Sequence, residues 1–270
     1  MSKIEKMMPL SKKRADAKRD IDLINQYSIK TLTPEEVYCF SIVLCDNEVD
    51  RDMERFPNVA LEKMVPLFLG KTGIIDHDWS AENQISRLYR TYTEKTGKRN
   101  SLGEELMVLR GDAYMLNNDT NKGMIEAIEG GIIKEVSVSL SAKRCRCSVC
   151  GENIRYNWRT GLYQCENGHT KGEIYEGKMC VGEITEPTDA YEFSFVAVPS
   201  QRGAGTIKSL EDPEEAAKLL LTADLNGCEE LIKRLIPRLN VILEGEEERK
   251  QRAAILVENK KYLKTERKGM

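Results

Sequence analysis

Only two histidines, His77 and His169, occur in the 270 residues. Any serine–histidine chemistry must therefore use one of them. Long apolar runs are also missing. None approaches the roughly 18 residues that a membrane helix needs. The opening MSKIEKMMPLSKKR has neither an apolar h-region nor a small-residue cleavage site, so no export signal is read there and a cytosol is the expected compartment. Nor is there an excess of one charge: 41 basic residues face 44 acidic ones, for a net charge of −3. That balance disfavours a uniformly basic nucleic-acid binder, although a local basic patch remains allowed. Apolar residues reach 40%, enough for a packed core, and the length suits one large domain or two small ones.

Eight cysteines are present. Cys39, Cys45 and Cys228 are isolated, whereas Cys145, Cys147, Cys150, Cys165 and Cys180 crowd into one stretch. In a reducing compartment such clustering favours a metal over disulfides. Cys147-x2-Cys150-Gly151 has knuckle spacing, and Cys165-x3-His169 supplies a second ligand pair. The segment between them has a hairpin-like centre at Arg159-Thr160-Gly161. The expectation is a structural zinc ribbon with Cys147, Cys150, Cys165 and His169 as ligands, and Cys180 or Cys145 as alternatives for the fourth. Four protein ligands leave no position for a reactive water.

The chain divides into a basic arm (1–31), a core (32–208) that contains the ribbon (143–182), and a charged helical tail (209–270). The arm is expected to be solvated. Val37 to Leu44 is apolar on both faces and reads as a buried strand. Residues 58–65 read as a short helix stopped by Pro66, and 121–129 as a helix capped from Asn118 or Asp119 and ended by Gly130-Gly131. Strands are expected at the end of GIIDHDW, in ISRLYRTYT, ELMVLRGDAYML and IIKEVSVSLSA, and from Tyr191 to Pro199. Asp212-Pro213-Glu214-Glu215 reads as a helix start. Several strands with few helices predict a β-rich α+β fold.

In EVSVSLSA, Val136, Val138 and Leu140 alternate with Ser137, Ser139 and Ser141. Taken alone, this is an amphipathic strand with a wet face. Glu192 shares a face with Ser194, Val196 and Val198, which is unusual for a carboxylate unless it is paired. His77 lies between two aspartates at the end of an apolar run.

Four segments in order resemble the prohead (capsid maturation) serine proteases of tailed bacteriophages, a family related in fold to herpesvirus assemblins. They are VYCFSIVLCDNEVDRDMERF, IIDHDWSAENQISRLYR, KEVSVSLSA and YEFSFVAVPSQRGAG, and they cover about residues 35–207. The resemblance implies a barrel-like core and Ser–His acyl transfer. Ser137 matches the nucleophile and His77 the general base. Glu192 falls in the block that supplies the acid, with Asp189 as the alternative. Two glycines of the family pattern are replaced, by Ser86 and Ser139. The second replacement leaves open whether Ser137 or Ser139 attacks. The implied substrates are head-assembly proteins (major capsid protein, scaffold, portal) and the protease itself, in the cytoplasm of a bacterial host. By analogy with assemblins, activity would require a homodimer. Two other readings compete: a non-catalytic assembly protein that keeps the fold, and a zinc-ribbon nucleic-acid binder.

Overall fold

The computed structural model describes residues 16–207. The basic run at 12–14 and the expected tail helices from Asp212 onward lie outside the described residues. Helix α1 (Ala17–Ile24) and a 3-10 turn (Pro34–Glu36) precede β1 (Val37–Asp46). Then follow β2 (Glu54–Arg55), α2 (Asn58–Phe68), β3 (Thr72–Ile75), β4 (Ser86–Arg99), β5 (Glu105–Leu116), α3 (Lys122–Glu129) and β6 (Val136–Ala142). Six short strands come next: β7 (Cys145–Cys147), β8 (Ile154–Asn157), β9 (Leu162–Cys165), β10 (Ile174–Tyr175), β11 (Lys178–Met179) and β12 (Gly182–Ile184). Last come β13 (Pro187–Phe195) and β14 (Gly205–Thr206).

Seven strands form one sheet in the order β14-β1-β5-β4-β3-β13-β6, giving a β-rich α+β fold. Every neighbouring pair is antiparallel except β3 and β13. The expected barrel-like closure is not present. β6 is an edge strand, and the β14 side reaches it only through an isolated bridge between Glu135 and Gly205. With two residues, β14 is too short to zip along β6. Beyond that bridge the outer edge of β6 has no strand partner among the described residues.

β1 is buried on both faces because each is covered. Phe40, Ile42 and Leu44 join Leu61, Met64 and Phe68 of α2 in the main core, with Phe193 and Phe195 of β13. Val37 and Cys39 face the other way, into a second cluster with Ile24, Tyr89 and Tyr114. Pro66 does not stop α2, as the sequence suggested; the helix runs on to Phe68. Phe68 is fully buried and holds the last turn, and Thr91 Oγ1 donates to the Val65 carbonyl at 2.7 Å. At Gly73 a Cβ would lie 2.1 Å from Ser86 Oγ and 2.3 Å from the Phe193 ring, so β3 can run between its neighbours only as glycine.

The arm is not wholly solvated. Asp16 caps α1 by accepting from the Lys18 and Arg19 amides. Asp20 is buried and accepts from Arg90 at 2.5 Å, while Arg90 also reaches Asp112 at 2.8 Å. Burial opposes ionisation of Asp20, but the guanidinium groups of Arg19 and Arg90 hold its carboxyl well below the usual carboxylate range. The arm therefore docks through a buried ion pair that composition alone hides.

Asp46 behaves in the opposite way. Burial, with Glu48 and Asp50 nearby, pushes it up to about 6, although the Glu48 amide donates to it. Its contribution to stability is present below about pH 4 and is lost as pH rises through about 6. Asp46→Asn is therefore expected to raise the melting temperature at pH 7.5 by a few degrees and to flatten the pH dependence between 4 and 7. Thermal melts across that range test this; an unchanged profile would remove Asp46 as the cause.

Candidate active site and metal cluster

β13 and β6 bring the expected site residues together. Their register sets Ser139 opposite Glu192 and Ser137 opposite Ser194, so all four side chains share one face. A bulge at Tyr191 restores that alignment after Ala190, which pairs with Leu140 on the core face. Asp189, the alternative acid, instead forms an ion pair with Lys71 at 3.2 Å, so the structure does not bring it to the histidine.

His77 arrives from the turn after β3. Asp76 and His77 both adopt left-handed backbone conformations, with φ of 52° and 55°. For non-glycine residues this costs about 1–2 kcal/mol each. The turn is held by Asp76 N–H donating to the Phe195 carbonyl at 3.0 Å and Asp78 N–H to the Ile75 carbonyl at 3.0 Å. The result lifts the imidazole over β13. His77 Nδ1 lies 2.8 Å from Glu192 Oε1 and 3.1 Å from Ser139 Oγ. Glu192 itself is only 2% exposed, and the imidazole gives it the partner its burial requires. No hydrogen bond joins Ser137 to the ring, although Ser137 lines the same cleft as Ser139.

The buried Ser194 hydroxyl ties the arrangement together. It accepts from the His77 backbone N–H at 3.0 Å and donates to Glu192 Oε2 at 2.8 Å. Ser194→Ala leaves both groups short of a partner. It is expected to cost about 2 kcal/mol of stability and to speed amide exchange at His77. Urea unfolding with hydrogen exchange measures both; an unaltered exchange rate would remove Ser194 as the anchor of this turn.

A cleft of about 710 Å³ opens above the serine face. β6 forms one wall, and Asn153, Ile154 and Cys145 from the cysteine-rich insert form part of another. Trp79 and Tyr191 pack at 5.4 Å between ring centroids and border both this cleft and a neighbouring cavity of about 400 Å³, to which Glu192 also contributes. Sequence reading missed Trp79, Tyr191 and the bridging role of Ser194. The available signal was position: Trp79 lies two residues after His77, and Tyr191 lies one before Glu192.

The insert positions a second cluster. Ligand atoms of Cys147, Cys150, Cys165 and His169 all lie within 4.8 Å of one another, a set that could bind a metal ion. Cys150 and Cys165 sulfurs are 3.6 Å apart, and His169 Nδ1 lies 3.5 Å from Cys165 and 3.7 Å from Cys147. Gly151, at φ 79°, turns the first knuckle while its N–H donates to the Cys147 carbonyl at 2.8 Å. Burial opposes ionisation of Cys150, but the Glu152 amide, His169, Asn167 and Cys165 together draw its thiol down to about 6. Of the alternatives, Cys180 sits 3.5 Å from Cys147, and burial with that contact pushes it up to about 12. Burial likewise pushes Cys145 up to about 11.

No family model, curated protein or solved structure matches the chain. The imidazole–carboxylate pair under a row of hydroxyls suits proton transfer to and from a nucleophile. The thiolate–imidazole set sits apart from it in the fold of the insert and offers no open carboxylate or water position of its own. Among the described residues no helix is long and apolar enough to cross a membrane.

Proposed function

We propose that the chain is a serine endopeptidase of phage head maturation. The observation that carries this reading is the buried Glu192 held 2.8 Å from His77, whose imidazole also meets Ser139, one of the β6 serines that line an open cleft. The ordered sequence motifs supply the family and the implied substrates: major capsid protein, scaffold and portal in a bacterial host cell.

Nδ1 can hold only one proton. When that proton is donated to Glu192, Nδ1 cannot accept another from Ser139, and the remaining base is Nε2. In this reading Nε2 serves Ser137. As the Ser137 Oγ–carbon bond forms, the hydroxyl proton passes to Nε2 and the carbonyl electron pair moves to oxygen. Glu192 stabilises the imidazolium without taking its proton. Collapse breaks the C–N bond, and the leaving amine takes the Nε2 proton. Water, deprotonated by Nε2, then cleaves the acyl ester and restores Ser137. Ser139 is the second reading, favoured by its 3.1 Å approach to Nδ1. The unpaired outer edge of β6 suits a polypeptide bound in extended form, since it leaves backbone groups open to a further strand.

Zinc is the metal that fits the cysteine cluster. Zn–S bonds of about 2.3 Å in a tetrahedron set sulfurs about 3.8 Å apart, and the sulfur and nitrogen separations here run from 3.5 to 3.7 Å among the contacting pairs. Cys147, Cys150, Cys165 and His169 would hold it, and its contribution would be structural.

Co-expression with the adjacent capsid protein, read by intact mass, tests the protease. The expected result is a trimmed capsid protein. Shells that assemble from uncut protein in its presence would favour the non-catalytic assembly role.

A further inference from the structure

The tip of the cysteine-rich insert carries a feature that acyl transfer does not use. Hairpin β8–β9 exposes Tyr156 (57%), Trp158 (78%) and Tyr163 (49%) to solvent. Tyr156 and Tyr163 are cross-strand partners with ring centroids 5.2 Å apart, and the Arg159 guanidinium lies 5.2 Å over the Trp158 ring. A solvent-facing aromatic cluster of this kind on a small insert needs an explanation, because burial would be the default for such rings. The charge supplies one. Residues 154–165 contain Arg155 and Arg159 and no acidic residue. Residues 143–182 carry seven basic side chains against four acidic ones, within a chain whose net charge is −3. Positive charge is therefore concentrated where flat rings are exposed.

We propose that this hairpin is a stacking platform for single-stranded nucleic acid. Bases stack on Trp158 and the tyrosine pair, phosphates meet Arg159 beside Trp158, and the backbone rounds the hairpin edge to Arg155, which β8 turns to the face opposite Tyr156. A single strand is favoured over a duplex because unpaired bases expose their faces to rings. It is favoured over an acidic protein because exposed rings on one hairpin recognise flat partners, whereas a carboxylate needs only the arginines. Sequence preference would be slight, since every base presents a π-face.

The test uses the full, metal-loaded chain and 5′-labelled 20-mers of oligo(dT) and oligo(U), followed by fluorescence anisotropy at 50 to 300 mM salt. The expected result is binding that weakens with salt, with a log–log slope of about −1.4 for two phosphate contacts. Trp158→Ala is expected to weaken it about tenfold or more. Arg159→Ala should reduce the slope by about 0.7. Tighter binding of one oligonucleotide assigns DNA or RNA as the occupant. Metal content of one ion per chain in each variant shows that the insert is still folded. Absence of any anisotropy change at 50 mM salt for both oligonucleotides overturns the proposal. So does binding that Trp158→Ala leaves intact. Loss of capsid-protein cleavage in Trp158→Ala without oligonucleotide binding would assign the hairpin to protein docking instead.

Discussion

Ser137→Ala is expected to lower peptide-bond cleavage about 10,000-fold, and His77→Ala by a similar factor, because members of a serine–histidine unit fail together rather than additively. Ser139→Ala is expected to stay within about tenfold of the parent. The reasoning is the proton inventory of one imidazole. Glu192 Oε1 lies 2.8 Å from His77 Nδ1, closer than Ser139 Oγ at 3.1 Å, so the carboxylate has the stronger claim on the Nδ1 proton. A serine sharing that nitrogen competes with the acid and is not served by the base. Intact-mass kinetics on the capsid protein, together with labelling by a serine-directed fluorophosphonate, reads the whole series. If Ser139→Ala alone among the serines is dead and unlabelled, the nucleophile lies two residues further along β6. If the parent protein is labelled at neither serine, the hydrolase reading fails outright.

The second large effect concerns the metal. Structural zinc in finger peptides contributes about 10–16 kcal/mol of binding free energy that is also folding free energy. The insert has a small apolar cluster of its own, built largely from Cys147, Ile154, Cys165 and Cys180. Chelation, or Cys165→Ser, is therefore expected to unfold residues 145–182 and make them sensitive to trypsin at Arg155 and Arg159. Cleavage of the capsid protein should fall as well, since Asn153 and Ile154 form part of the cleft wall. Elemental analysis beside limited proteolysis measures this. A metal-free chain that resists trypsin as well as the loaded one would show that the insert folds without an ion.

The parts of this site that were legible in the sequence are local or ordered. Alternation placed Ser137 and Ser139 on one face of a strand, and the structure keeps them there on β6. Glu192 stood out as a carboxylate sharing a strand face with Ser194, Val196 and Val198; its partner is His77, but β13 ends at Phe195, so the two valines lie beyond the strand and the face beside Glu192 is one of serines. The ligand spacing in the insert led directly to the four clustered side chains. What stayed hidden depends on pairing across the chain. Ser194 reads as one more strand serine until β3 lies beside β13 and brings the His77 amide to it. The bulge at Tyr191 has no signature in composition, yet it decides which face Glu192 occupies. Likewise α1 docks through Ile24, with Ala17 and Ile21 packed beside it, and through Asp20, whose partner Arg90 lies 70 positions away. The expectation of barrel closure came from resemblance, and two residues of β14 do not satisfy it.

The place where the insert enters the fold has a further consequence. Ala142 and Pro187 are cross-strand neighbours, so β6 and β13 form one hairpin whose connection runs from 143 to 186. Bringing the ends of a connection of about 44 residues together costs about 2 kcal/mol more than closing a four-residue turn. That penalty falls on the very hairpin that aligns Ser137 and Ser139 with Glu192. An ion that condenses the connection would remove most of it. The order of assembly would then have a direction: metal capture first, β6–β13 pairing second, so that a chain starved of the ion is slow to set its serines against Glu192.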